Sequence, residues 1–194
     1  MNSGLGINSV PELIARAKAR DGELTYGTAG VGTAPHMSAE LFNLMAGVKL
    51  AHVPYRGTNQ AIVDLLGGRL SLMFAPAPTI APHAKEGKLK MLATTSAHRS
   101  ALLPELPPLA EAGLAGFDTS IWYGFWAPKG TSPEIVKTVS DVIVKASARP
   151  DVKGMLAANG ADPMAGTPPE FAAFVRSEVS KWEKVVSFSG IKAE

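Results

Sequence analysis

The sequence predicts an α/β fold built on a parallel sheet, and three observations carry that reading. Short apolar segments of strand character alternate with amphipathic segments of about ten residues through the first half, the grammar of βαβ units. Nearly every switch is marked by Gly or Pro, as at Asp21-Gly22, Gly67-Gly68 and Gly87. Finally, 46% of the residues are apolar and only 19% charged, enough to form a core and too apolar for a disordered chain.

Val10 to Arg20 reads as a helix, because Val10, Leu13, Ile14 and Ala17 repeat at i, i+3, i+4 and i+7. Ser9 is its N-cap, Glu12 completes a capping box, and Pro11 occupies the first helical position. Leu24 to Thr28 reads as a strand, followed by a glycine-rich turn and a helix from Pro35 to Ala46. The pattern then repeats: strand Leu50–Tyr55, helix Asn59–Leu66, strand Leu70–Phe74, helix Thr79–Glu86, strand Lys88–Thr94. Pro104 to Gly116 reads as a loop holding a short helix over Leu109–Ala112.

The second half differs. It has a single strand candidate, the aromatic run Ser120–Ala127, and three helices: Pro133–Ala146 capped by Ser132, Asp151–Asn159, and Pro168–Ser187 capped by Thr167 with Glu170. One strand makes no sheet, so it must pair with strands this half does not supply. Trp122, Tyr123, Phe125, Trp126 and Trp182 are expected in a core.

Composition excludes several function classes. Without cysteine there is no disulfide scaffold, thiol catalysis or cysteine-ligated metal. A net charge of +2 from scattered Lys and Arg gives no nucleic-acid footprint. No apolar run approaches the about 20 residues that span a bilayer. The first ten residues carry no signal-peptide pattern, so a chain expressed as written is expected in the cytoplasm. His36, His52, His83 and His98 are spaced unlike metal ligands, and no nucleophile elbow is present, so neither a metal nor a catalytic residue is expected. His36 is expected to pack or to bond the backbone.

The candidate binding chemistry lies in two loops. Gly27 to His36 is a strand, a Gly-rich turn and a helix N-terminus, where unpaired N–H groups and the helix dipole favour an anion. Thr28 and Thr33 add hydroxyls, and Ala29, Gly30 and Gly32 offer backbone. A phosphate loop would need Lys where Thr33 stands. The dinucleotide fingerprint would need Gly where Pro35 stands, and an acidic residue near 49–53, where the sequence is Lys-Leu-Ala-His-Val. A carboxylate fits better; the alternative is a tight turn whose glycines serve packing. The second loop, Tyr55-Arg56-Gly57-Thr58, closes the next strand and would lie beside the first. Arg56 there is either a carboxylate partner or a solvated cation.

The run Tyr26-Gly-Thr-Ala-Gly-Val-Gly-Thr-Ala-Pro-His36, then His52-Val-Pro-Tyr-Arg-Gly57, Asp64-Leu-Leu-Gly-Gly68 and Gly87-Lys-Leu-Lys90, resembles the Bug family, the TctC-type solute receptors of tripartite tricarboxylate transporters. Leu103-Pro-Glu-Leu-Pro107, Ala110-Glu-Ala-Gly113, Gly116-Phe117, Trp122-Tyr-Gly-Phe-Trp-Ala-Pro128, Gly130-Thr131 and Thr167-Pro-Pro-Glu-Phe171 extend the resemblance from about Asn8 to Val186.

The resemblance implies a type II-like periplasmic-binding-protein fold, two α/β lobes closing on a carboxylated solute, a periplasmic location and membrane transporter partners. It implies no cofactor. Thr28, Ala29, Gly30, Gly32 and Thr33 match the family's second-lobe carboxylate loop, and Tyr55, Arg56 and Gly57 match its neighbour; His36 and Thr58 complete the candidate ligand-binding set. The family has an additional N-terminal segment, with the signal peptide and most of the first lobe's sheet, that this sequence does not show. Residues 1–118 are then expected as the ligand-binding lobe and 119–194 as an incomplete part of the other, prone to self-association. The function expected is carboxylate binding for transport. The alternatives are a cytoplasmic enzyme or regulator acting on an anionic metabolite, or a non-functional truncated paralogue.

Overall fold

The computed structural model describes residues 1–100 and 103–191. The chain divides into two compact units, one of residues Met1–Ile121 with the described residues from Val185 on, the other of Trp122–Lys184.

The first unit follows the alternating pattern. Helix α1 spans Val10–Ala19, β1 Thr25–Thr28, α2 Ala34–Ala46, β2 Ala51–Pro54, α3 Thr58–Leu66 and α4 Ala77–Lys85. Ser9 caps α1 through the Glu12 N–H, and the Glu12 carboxylate accepts from the Ser9 hydroxyl and from the Asn8 N–H. Pro11 is the second helical residue rather than the first; the N–H it lacks would be unpaired there too.

Strands β1 and β2 are parallel, with Tyr26 opposite His52 and Thr28 opposite Pro54. The expected strand at Leu70–Phe74 is reduced to a parallel bridge of Leu72 to Tyr26, with Leu72 N–H donating to Thr25 and Gly27 N–H donating to Leu72. Pro76 and Pro78 follow at once and cut the ladder short. The expected strand at Lys88–Thr94 is likewise reduced to two isolated bridges, Leu89 to Asn2 and Thr94 to Pro108. Over Leu109–Ala112 a hydrogen-bonded turn replaces the expected short helix, Ala112 N–H donating to Pro108 and Leu109.

The core of this unit includes Tyr26, Phe42, Leu65, Leu70 and Phe117, all fully buried. Ala61, Ile62 and Leu65 line the face of α3 that packs on Leu70, Ile80 and Leu89. Each such Leu or Phe contributes about 1.5–3 kcal/mol by leaving water.

In the second unit, α5 spans Pro133–Ala148, α6 Pro150–Ala158, and α7, Pro168–Ser189, begins here and ends among the residues of the first unit. Ser132 caps α5, and Thr167 and Glu170 form a reciprocal capping box at α7. The run Ser120–Ala127 forms no strand: among the described residues nothing pairs with it. The expectation of buried aromatics fails with it, since Tyr123, Phe125 and Trp126 are 89%, 77% and 65% exposed. An aromatic strand is buried only when a sheet and a facing layer cover it. Trp122 and Trp182 are half-buried, and both indole N–H groups donate to the buried Glu178 carboxylate, at 3.2 and 3.1 Å.

Candidate functional site

The parallel pairing of β1 and β2 sets the site. Each strand runs into a helix, so the N-termini of α2 and α3 open at the same end of the sheet. The loops touch there: Tyr55 N–H donates to the Thr28 carbonyl at 2.9 Å. Neither helix has a side-chain cap. The Thr33 hydroxyl, at the N-cap of α2, donates instead to the Gly30 carbonyl at 2.8 Å. The first-turn N–H groups of both helices therefore have no hydroxyl or carboxylate from their caps, and both dipoles point their positive ends into one region. Such a region accepts a small anion.

The glycines of the first loop differ in purpose. A Cβ on Gly27 would collide with Leu70 Cδ1 and lie 3.2 Å from Ala61 Cβ, so this glycine lets α3 close on β1. Gly30 and Gly32 have φ of +132° and +74°, which side-chain-bearing residues rarely adopt. They turn the chain from strand into helix, and nothing lies within 4 Å of a Cβ placed at Gly32.

The expected site residues fall into two groups. Thr28, His36 and Tyr55 have their polar atoms engaged inside the protein. Thr28 is buried; its Oγ1 lies 2.6 Å from His52 Nε2, donates to the Gly30 carbonyl and accepts the Gly30 N–H. His36 is buried and its Nδ1 accepts the Gly32 N–H at 3.0 Å, a backbone bond of the kind expected for it. The Tyr55 hydroxyl donates to Asp64 at 2.7 Å, and Asp64 also pairs with Arg69. Both partners hold the Asp64 carboxyl below its ordinary range, Arg69 more strongly. Ala29, Gly30, Gly32, Thr33, Arg56, Gly57 and Thr58 remain at least partly accessible, and Arg56 has no ion-pair partner among the described residues. No group of three or more metal-ligating side chains occurs among the described residues.

His52 was outside the expected set. It stacks on His36 with centroids 3.9 Å apart, and Tyr26 stacks on His52 at 4.9 Å. Burial lowers both imidazoles, His52 to about 4, with His36 adding to the effect on His52. The Glu40 carboxylate pulls His36 the other way, more weakly. Glu40 accepts from the Tyr26 hydroxyl at 2.5 Å, and burial followed by that bond drives the phenol far up. The register that sets Tyr26 beside His52, and the spacing of His36 and Glu40 on one helix face, are the sequence signals for this cluster.

Residues 2–191 match the family described as the tripartite tricarboxylate transporter family receptor, TctC. The chain is 36% identical to protein BugT of Bordetella pertussis over 191 residues, which is 98% of this chain and 59% of that protein. It is equally 36% identical to a protein encoded in the tcbD–tcbE intergenic region of Pseudomonas sp. strain P51, over 91% of this chain and 53% of that one. Among solved structures, an R. palustris protein with adipate superposes with TM-score 0.81 at 36% identity, over 98% of this chain and 64% of that one. MatC from Rhodopseudomonas palustris with bound malate gives 0.71 at 30%, over 92% and 62%, and the periplasmic binding protein BugD gives 0.75 at 30%, over 97% and 64%. The chain thus spans less than two thirds of the length of these relatives, and its α/β architecture is part of the periplasmic-binding-protein fold. By the match over nearly its whole length, the chain belongs to the TctC family of tripartite tricarboxylate transporter receptors.

Proposed function

We propose that this protein binds a small organic acid through carboxylate contacts at the N-termini of α2 and α3, as the receptor component of a tripartite tricarboxylate transporter in the periplasm. The observation that carries the reading is the convergence of two side-chain-uncapped helix N-termini at one end of a parallel pair, joined by the Tyr55 to Thr28 backbone bond. That geometry offers oriented N–H donors without a lysine, as a carboxylate requires. The relatives support the acid: one solved structure holds adipate and another malate.

Ala29, Gly30, Gly32 and Thr33 supply donors from the first loop. Gly57 and Thr58 supply them from the second, and Arg56 reaches a second acidic group. Thr28, His36 and Tyr55 shape the loops from beneath. Residues 1–118 act as the ligand-binding lobe and 119–194 as part of the other. The protein works by binding and handing on its solute, with transporter membrane proteins as partners, rather than by turnover.

Backbone amide mapping of the 194-residue chain with adipate as probe tests this. Shifts confined to Ala29–Ala34 and Arg56–Gln60 are expected. Saturable shifts centred elsewhere, with these amides unmoved, would overturn the site assignment.

A further inference from the structure

Beneath the anion loop lies a group of side chains that the binding reading does not use as ligand contacts. His36 and His52 come from different elements, α2 and β2, yet their rings stack with centroids 3.9 Å apart and planes 14° from parallel. Each ring holds one end of the loop. His52 Nε2 meets the Thr28 hydroxyl where the loop leaves β1, and His36 Nδ1 accepts the Gly32 N–H where the loop enters α2. Thr28 passes the constraint to Gly30 through both that residue's carbonyl and its N–H. The loop contains glycines at positive φ, so its shape is set by such bonds and not by side-chain sterics.

We propose that His36 and His52 are positioning residues: the stacked, uncharged pair fixes the Thr28–Thr33 loop in its anion-accepting shape, and protonation of His36 at Nδ1 releases it. The inference rests on the binding reading only for its consequence, since the loop geometry itself is independent of any ligand. His36 Nδ1 accepts from Gly32 only while unprotonated, so the neutral ring carries its proton on Nε2. A proton on Nδ1 would set two donors 3.0 Å apart. A charge on either ring would also lie against the other. The titratable groups facing the pair are Tyr26 from β1 and Glu40 from α2. Glu40 Oε1 is 3.9 Å from His36 Nε2 and already accepts from Tyr26 and Asn43. Burial holds the pair uncharged at neutral pH.

The test is an amide and imidazole titration of the full chain without ligand, from pH 7.5 to 4, on wild type, H36N, H36L and H52Q. The Gly32 and Gly30 amides are expected to move with the midpoint of the His36 ring, below 6.5. In H36N, whose amide oxygen accepts a bond without titrating, the Gly32 amide keeps its neutral-pH position throughout that range; in H36L it is displaced at every pH. H52Q, which keeps a polar atom for Thr28, retains the neutral-pH loop shifts. The loss of adipate affinity across that midpoint is then at least tenfold greater in the wild type than in H36N, a comparison in which protonation of the ligand's own carboxyls cancels. A Gly32 amide unmoved while both rings titrate, or wild-type loop shifts in H36L, would overturn the proposal even where H36N fails to fold. Absence of adipate binding with the coupled amide titration intact counts against the binding reading alone.

Discussion

A methyl group at Gly27 would collide with Leu70 Cδ1 and press on Ala61, both part of the packed face of α3. Overpacking of this kind costs about 1–3 kcal/mol. Gly32 has open space around it but φ of +74°, where an added Cβ costs about 1–2 kcal/mol through its own backbone alone. Gly27→Ala is therefore expected to lower stability in chemical denaturation more than Gly32→Ala; the reverse order would show that conformation outweighs packing in this loop. The imidazoles act on stability through pH. His52 sits near 4 in the folded protein against 6.5 for a free histidine, because burial disfavours its charge. The unfolded chain takes up that proton first, so this contribution is complete above pH 6.5 and is lost as pH falls toward 4. In melts across that range, H52Q is expected to lose less Tm than wild type. Sequence reading singled out His36 but not His52, because their contact joins a residue of α2 to a residue of β2 sixteen positions on and depends on β2 pairing with β1, which no local pattern records.

At the scale of elements, the helices were more legible than the strands: β1 and β2 form where expected, but the later strand candidates shrink to bridges or form no strand, for a physical reason. A helix carries its hydrogen bonds, its apolar stripe and its caps within its own sequence, so α1, α5 and α7 are capped by the residues that sequence reading named. Ser9→Ala, which removes the acceptor for Glu12 N–H, is expected to cost about 1 kcal/mol in chemical denaturation. No measurable loss would mean that the Glu12 contacts to Asn8 suffice. A strand depends on a neighbour supplied from elsewhere. Leu70–Phe74 has strand composition but only one residue of true pairing, and Ser120–Ala127 has none among the described residues. The Gly-rich turn after β1 was readable because its positive-φ glycines and the helix that follows are all local. That Thr28 and Tyr55 turn inward, toward His52 and Asp64, was not.

At the scale of the whole molecule, the two units differ in how well they bury apolar surface. The first buries Tyr26, Phe42, Leu65, Leu70 and Phe117 fully, whereas the second exposes Ile135, Val139 and Val142 along α5, and Phe125 and Trp126 beside an open groove of about 390 Å³. Exposed apolar area of this kind favours association. Light scattering of the 194-residue chain is expected to show concentration-dependent self-association together with binding of a hydrophobic dye. A dye-silent monomer at all concentrations would show that this surface is covered in solution.

The carboxylate assignment is tested most directly by a thermal-shift series of the purified chain against di- and tricarboxylates, monocarboxylates, inorganic phosphate and nucleotides. A ligand at 100 times its Kd adds about 2.7 kcal/mol of stability, well within detection. The expected result is an upward Tm shift with di- or tricarboxylates and none with phosphate or nucleotides. A cooperative melt unmoved by every carboxylic acid, or moved only by phosphate or nucleotides, would contradict the assignment.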